Sequence, residues 1–287
     1  MENKISNGKP APATVEICVA KVVITNKFKE MILRAHKAQE KVLEIRERSL
    51  EGWDKGGKEK EISEFYKIFG TKGDKLIGDD DETKQTALLI MQDGIKRIKT
   101  IHNQMFRYDE DGVFTCYYIN NTICGNFTAR VNEFIDKDYH IFIAGKFKDK
   151  PLCGVDSQVS TLCHEMSHFC KTGAGGIGGG MSTHDMNAQG KPAFMSSDAH
   201  LAAAKKMVSQ HSQAVFRSAY NVEKYFQIAL NEEILIDINK SVEEDMSKDL
   251  KIKIDNRGRG GAAGGGGFGG VCGVGVGGWW GGVWLLV

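Results

Sequence analysis

The amino-acid sequence predicts a mainly helical α+β fold, one helical domain with a small β-sheet. Three observations predict it. Residues 26–50 and 81–105 repeat apolar side chains at helical spacing over five or more turns. Residues 156–172 form a shorter candidate helix, opened by the cap-forming pair Asp156 and Ser157 and closed by Gly173. Residues 113–119 and 139–144 carry the aromatic and β-branched density of strands.

Each element follows from local pattern. Residues 1–26 read as a loose N-terminal segment, polar up to Pro12. In 26–50, Phe28, Ile32, Leu33, His36, Val42, Leu43 and Ile45 fall near one side and charges fill the other. A charged loop, 51–60, leads to a short amphipathic segment, 61–69, with Gly70 as its stop. In 81–105 the expected core residues are Ala87, Leu88, Ile90, Met91, Ile95, Ile98 and Ile101. Beyond the 156–172 helix come a glycine loop at 173–180, a helix over 198–210 capped by Ser197, and another over 213–230. Residues 232–254 are amphipathic only in part. The expected organisation is an N-terminal segment, 1–26, a domain over 27–240, a linker or short helix over 241–255, and a glycine-rich tail, 256–287.

Composition excludes several classes of function. The 38 basic residues are balanced by 37 acidic ones, so the basic surplus of a nucleic-acid binder is absent. No apolar run reaches the length of a membrane span, and no secretory apolar segment precedes a small-residue cleavage site. The seven cysteines have irregular spacing and form no CxxC pair, which argues against a cysteine zinc knuckle. Reduced thiols are the default expectation, although Cys116 and Cys124 can close a small loop in an oxidising setting.

The chemistry lies in His164-Glu165-Met166-Ser167-His168. Residues four apart share a helix face, so the two imidazoles can converge on one metal ion. Glu165, beside the first histidine, can take a proton from a water in the metal's open position. Val159, Leu162, Met166 and Phe169 are available to bury the helix's other side. This is a zincin-like pattern, and it calls for one Zn2+ per chain with a third protein ligand. The candidates are the adjacent His184 and Asp185, or a later glutamate among Glu223, Glu232 and Glu233.

These residues resemble the aspzincin metalloendopeptidases, the deuterolysin and peptidyl-Lys metalloendopeptidase group. The likeness rests on Thr161-Leu162-x-His164-Glu165-x-Ser167-His168-Phe169 and on Ser182-Thr183-His184-Asp185, which is similar to the family's Gly-Thr-x-Asp. It extends to Phe65-Tyr66-x-x-Phe69-Gly70, Phe114-Thr115-Cys116, Tyr139-x-Ile141-Phe142-Ile143, and the run from Ala219 to Phe226. The resemblance implies a zinc endopeptidase acting on protein or peptide substrates, with His164, His168 and Asp185 as ligands and Glu165 as catalytic base. It places Glu223 and Tyr220 in the substrate-binding position, where lysine-selective members carry a glutamate and an aspartate. It also places Ala188 where the family has an oxyanion-stabilising tyrosine; His184, Tyr220 and Tyr225 are the candidate replacements.

The alternative reading is a catalytically impaired zinc-binding protein that binds a partner. Glycine dominates the tail from residue 256, which lacks the side chains for a packed core, so a disordered appendage is expected ahead of a membrane-touching segment. The location expected is cytoplasmic at synthesis, with export by a signal-independent route. The glycine loop at 173–180 lies between His168 and Asp185, and its flexibility would leave the third ligand loosely placed until metal or substrate orders it.

Overall fold

In the computed structural model, the chain is described over residues 25–78, 84–108, 114–122, 127–131, 139–172, 178–247 and 252–254. The expectations for 1–24, for the tip of the glycine loop and for the tail lie outside these residues. The fold is mainly helical α+β with small sheets, as expected.

Helix α1 (Asn26–Ser49) starts at Thr25, whose hydroxyl accepts a hydrogen bond from Phe28 N. It buries Ile32, Leu33, Val42 and Leu43 on the face the periodicity indicates. Helix α2 (Glu59–Phe69) ends at Gly70, with φ of 67°. A β-carbon there would lie 2.3 Å from the Val208 carbonyl oxygen, so glycine is required for packing as well as for conformation.

Strands β1 (Leu76–Ile77) and β2 (Gln85–Thr86) pair antiparallel and lead into helix α3 (Ala87–Met105). The helix expected from residue 81 therefore starts later. Gln85 and Thr86 pair with Ile77 and Leu76, and the Thr86 hydroxyl then caps the helix through Leu89 N.

The strand expected over 113–119 divides at Tyr117. Strand β3 (Phe106–Tyr108) pairs with β4 (Phe114–Cys116), which begins one sheet. Strand β5 (Tyr118–Asn121), β6 (Ala129–Arg130) and β7 (Ile141–Ala144) form another, in the order β5-β7-β6. Tyr117 makes the change because its N–H is spent on Met105 O and its carbonyl on Ile141 N.

Helix α4 (Gln158–His168) carries the histidine motif and is closed at its start by a capping box between Ser157 and Ser160. It was expected to reach residue 172. It stops at His168 because the following residues are drawn into backbone pairing with 179–182, and Phe169 is already extended. Helix α5 (Ser197–Ser209) is capped by Ser196, one residue before the expected cap.

The single helix expected over 213–230 is two pieces. A 3-10 turn, Gln213–Arg217, is followed by helix α6 (Ala219–Tyr225), with Ser218 extended between them and capping Asn221. Helix α7 (Glu232–Ser247) runs on past residue 240 and packs along α1 through Ile238 and Val242, with Lys37 paired to Asp245. Strand β8 (Ile252–Ile254) completes the β3-β4-β8 sheet, parallel to β4.

One core joins these elements. Phe65, Phe69, Phe216 and Tyr225 meet in an aromatic nest between α2 and α6. Helix α4 lies among α1, α3 and α6, with β6 against it, and Val159, Leu162, Cys163 and Met166 are buried there. Among the described residues, no helix is long and apolar enough to cross a membrane. Cys116 is a free buried thiol, so it does not close the short loop considered above. Cys170 is disulfide-bonded, contrary to the reduced-thiol expectation.

Between α1 and α3, the rings of His36 and His102 stack with centroids 3.6 Å apart. Burial, and then for His36 the neighbouring His102, holds both below the usual histidine range. Each therefore binds its proton less readily folded than unfolded. Their contribution to stability is complete at neutral pH and is lost as pH falls below the unfolded value of about 6.5. The urea midpoint should drop between pH 7.5 and 5, and this slope should shrink in His102→Phe. A midpoint unchanged over that range would contradict the arrangement.

Candidate metal centre

The site is assembled by three local structures. Helix α4 presents His164 and His168 four residues apart, and their rings meet at 80° with centroids 4.8 Å apart. The segment after the glycine loop brings Asp185. The break at Ser218 receives that segment: His184 N donates to Arg217 O, Ala219 N donates to His184 O, and His184 and Ser218 form a parallel bridge.

The approach to Asp185 is firmly held. Thr183 N and Met181 N both donate to Ser167 O, and the Ser167 and Thr183 hydroxyls share a 2.6 Å hydrogen bond. Ser182 N donates to Phe169 O, Gly180 N to Cys170 O and Gly179 N to Lys171 O. A β-carbon on Gly180 would lie 2.0 Å from Phe169 O, so this stem requires glycine for close approach. Against the loosely placed third ligand expected from the sequence, both sides of the loop are tied together before Asp185 is reached.

His164, His168 and Asp185 form a cluster that could hold a metal ion, with their ligand atoms within 4.8 Å of one another. Asp185 Oδ1 lies 3.3 Å from His164 Nε2 and 3.8 Å from His168 Nε2. That oxygen is buried and ion-paired with His164, although the side chain as a whole is 40% exposed. A buried carboxylate oxygen set between two imidazole nitrogens fits a cation, a place the charged His164 ring takes in the metal-free chain, and the exposed remainder leaves solvent a way in.

The other ring nitrogens are committed. His164 Nδ1 donates to Glu223 Oε2 at 3.1 Å, and His168 Nδ1 donates to Thr183 O at 3.0 Å. Both Nε2 atoms are thereby directed to the shared point, with the ring orientation fixed from behind. Burial, followed by the neighbouring His164, lowers His168 to about 4, which keeps it neutral and ligand-ready. Burial opposes charge on Asp185, but His164 and then His168 outweigh it and hold Asp185 at about 2. Burial also opposes charge on His164, but Asp185 and Glu223 outweigh it and raise that imidazole well above its usual range.

The remaining residues singled out from the sequence divide between near and far. Glu165 follows His164 on α4 and is buried. Tyr220 meets the His164 ring at 87°, with centroids 4.9 Å apart, and stacks on His200. Burial raises the Tyr220 phenol to about 12, against the hydrogen bond to Ser197. Glu223 stands behind His164, with its second oxygen accepting from Ser160 Oγ at 3.2 Å. Glu232 and Glu233 are exposed at the start of α7, and Tyr225 is buried with its hydroxyl on Ser49. Ala188 sits in the turn closed by the Met186–Pro192 bridge.

Sequence reasoning missed Ser160, the role of the Thr183 carbonyl, and His200. Ser160 had a readable signal, the Ser157-x-x-Ser160 capping spacing. The other two act through a carbonyl and a ring stack that no local pattern announces. Glu223→Gln should weaken metal binding at this cluster by about 10–100-fold, because the imidazole loses its anionic support while its position is kept. Competition titration against a chromophoric chelator measures this, and an unchanged affinity would remove Glu223 from the centre.

No family model matches the chain, and no curated protein matches it. Among solved structures, a zinc peptidase from Grifola frondosa is similar at 16% identity, over 71% of this chain and 96% of that chain, with a TM-score of 0.42. A likeness at this level does not assign the chain to a family.

Proposed function

We propose that this chain is a zinc-dependent endopeptidase with a zincin-like site of the aspzincin kind. The observation that carries this is the buried Asp185 oxygen within 3.8 Å of two imidazole nitrogens whose partner nitrogens are already committed. His164, His168 and Asp185 are the protein ligands in this reading, and Glu165 is the catalytic base. Zinc bound there supplies Lewis acidity that makes a water nucleophilic near neutral pH.

The chain's own residues do the rest. Glu165 takes the proton from the attacking water and returns it to the leaving amine, a role worth about 10²–10⁴-fold in rate. Glu223 and the Thr183 carbonyl keep both imidazoles in the ligand-ready tautomer. The half-exposed Asp185 side chain leaves one side of the site open to an extended peptide. The disulfide at Cys170 supports action in an oxidising compartment, after export from the cytoplasm.

A second reading, a zinc-binding protein without catalysis, is favoured by Ala188, which stands where the resemblance places an oxyanion-stabilising tyrosine. One assay separates the two. Cleavage of an unfolded protein should disappear on chelation and return with stoichiometric zinc. Full zinc loading with no cleavage would establish the non-catalytic reading instead.

A further inference from the structure

The side chains around the metal cluster define a substrate class, and this inference rests on the endopeptidase reading above. A substrate cation entering the site needs a carboxylate that is free to receive it. Glu165 and Asp185 are assigned to catalysis and metal. Glu223 is 8% exposed, and both of its oxygens are spent inside the protein, Oε2 on His164 and Oε1 on Ser160. The chain's own Lys150 adds a positive field at Glu223 and also pairs with Asp156. Both oxygens of the acidic position behind His164 are thus taken up inside the protein.

What the site offers instead is aromatic. Tyr220 is half-buried, meets the metal-binding His164, and is braced on its far side by the buried His200, which donates from Nδ1 to Met186 O. The rim continues in the same character. Ala193 N donates to Asp185 O, and the next residue, Phe194, stands fully exposed, followed by Met195. An exposed aromatic side chain one residue from a backbone contact of Asp185 is available to a bound peptide.

We propose that the site selects peptides with an uncharged apolar or aromatic side chain next to the scissile bond, and that Tyr220 sets this preference. This differs from the lysine-selective members of the resembling family, which carry a glutamate and an aspartate at the positions of Glu223 and Tyr220.

The test uses the full-length, zinc-loaded chain and end-blocked peptides that differ only in leucine, phenylalanine or lysine at the two central positions. Leucine and phenylalanine peptides should be cleaved at least about tenfold faster than lysine peptides. Tyr220→Phe should keep that ratio, and Tyr220→Asp should shift it toward lysine. Binding of the same peptides to zinc-loaded Glu165→Gln gives a readout free of turnover, and the order of affinity should match. Lysine peptides cleaved or bound as well as leucine peptides would overturn the inference. Preferential binding of apolar peptides by a wild-type chain that cleaves none would overturn the endopeptidase reading and leave the ligand class standing.

Discussion

Glu165→Gln should lower kcat for peptide cleavage by about 10²–10⁴-fold while zinc content stays at one ion per chain. The two halves of this result have separate causes. Gln keeps the size and the hydrogen-bonding reach of the side chain but cannot accept a proton from water at neutral pH. The three ligand atoms of the proposed centre come from His164, His168 and Asp185, which the substitution leaves in place. Loss of zinc together with activity would mean that Glu165 supports the metal. Full activity would show that it is not the base.

Asp185→Ala should have the larger effect on the metal itself. It removes the one anionic ligand atom from the cluster and leaves two neutral donors, so zinc affinity should fall by more than the 10–100-fold characteristic of outer supports. The consequence is visible in stability. A ligand that binds only the folded chain stabilises it by about 4 kcal/mol at a thousand times its Kd. Wild-type Tm should therefore rise on adding zinc, and Asp185→Ala should show little rise at the same concentration.

Proton release provides an independent check on the same centre. In the metal-free chain His164 is raised by Asp185 and Glu223, so it carries a proton that zinc must displace. Affinity should accordingly weaken as pH falls, and calorimetry in buffers of different ionisation enthalpy should show proton release with binding. Zinc binding without proton release would contradict this account of His164.

Much of the site was legible because it is local. His164, Glu165 and His168 sit on one helix turn, and the Ser157 cap marks where that helix begins. The choice between His184 and Asp185 was not local. In the folded chain it is Asp185 whose ligand atom lies within 4.8 Å of those of His164 and His168, while the His184 backbone pairs with Ser218. That pairing explains the broken helix after Gln213, since Ser218 cannot be both helical and paired. The early end of α4 has a similar origin, because Phe169 and Cys170 accept hydrogen bonds from a segment beyond the glycine loop. Glu223 was singled out by its position in a motif. Its place behind His164 depends on the packing of α6 against α4, which no single-sequence pattern encodes.

The central claim is that two α4 imidazoles and the Asp185 carboxylate bind one zinc ion. X-ray absorption spectroscopy of the zinc-loaded full-length chain tests it most directly. The account predicts two imidazole nitrogens at about 2.0–2.1 Å and oxygen ligands at about 2.0–2.2 Å, with no sulfur. In Asp185→Ala the spectrum should lose an oxygen ligand or the metal altogether. A sulfur ligand, a third imidazole, or a wild-type spectrum retained by Asp185→Ala would contradict it.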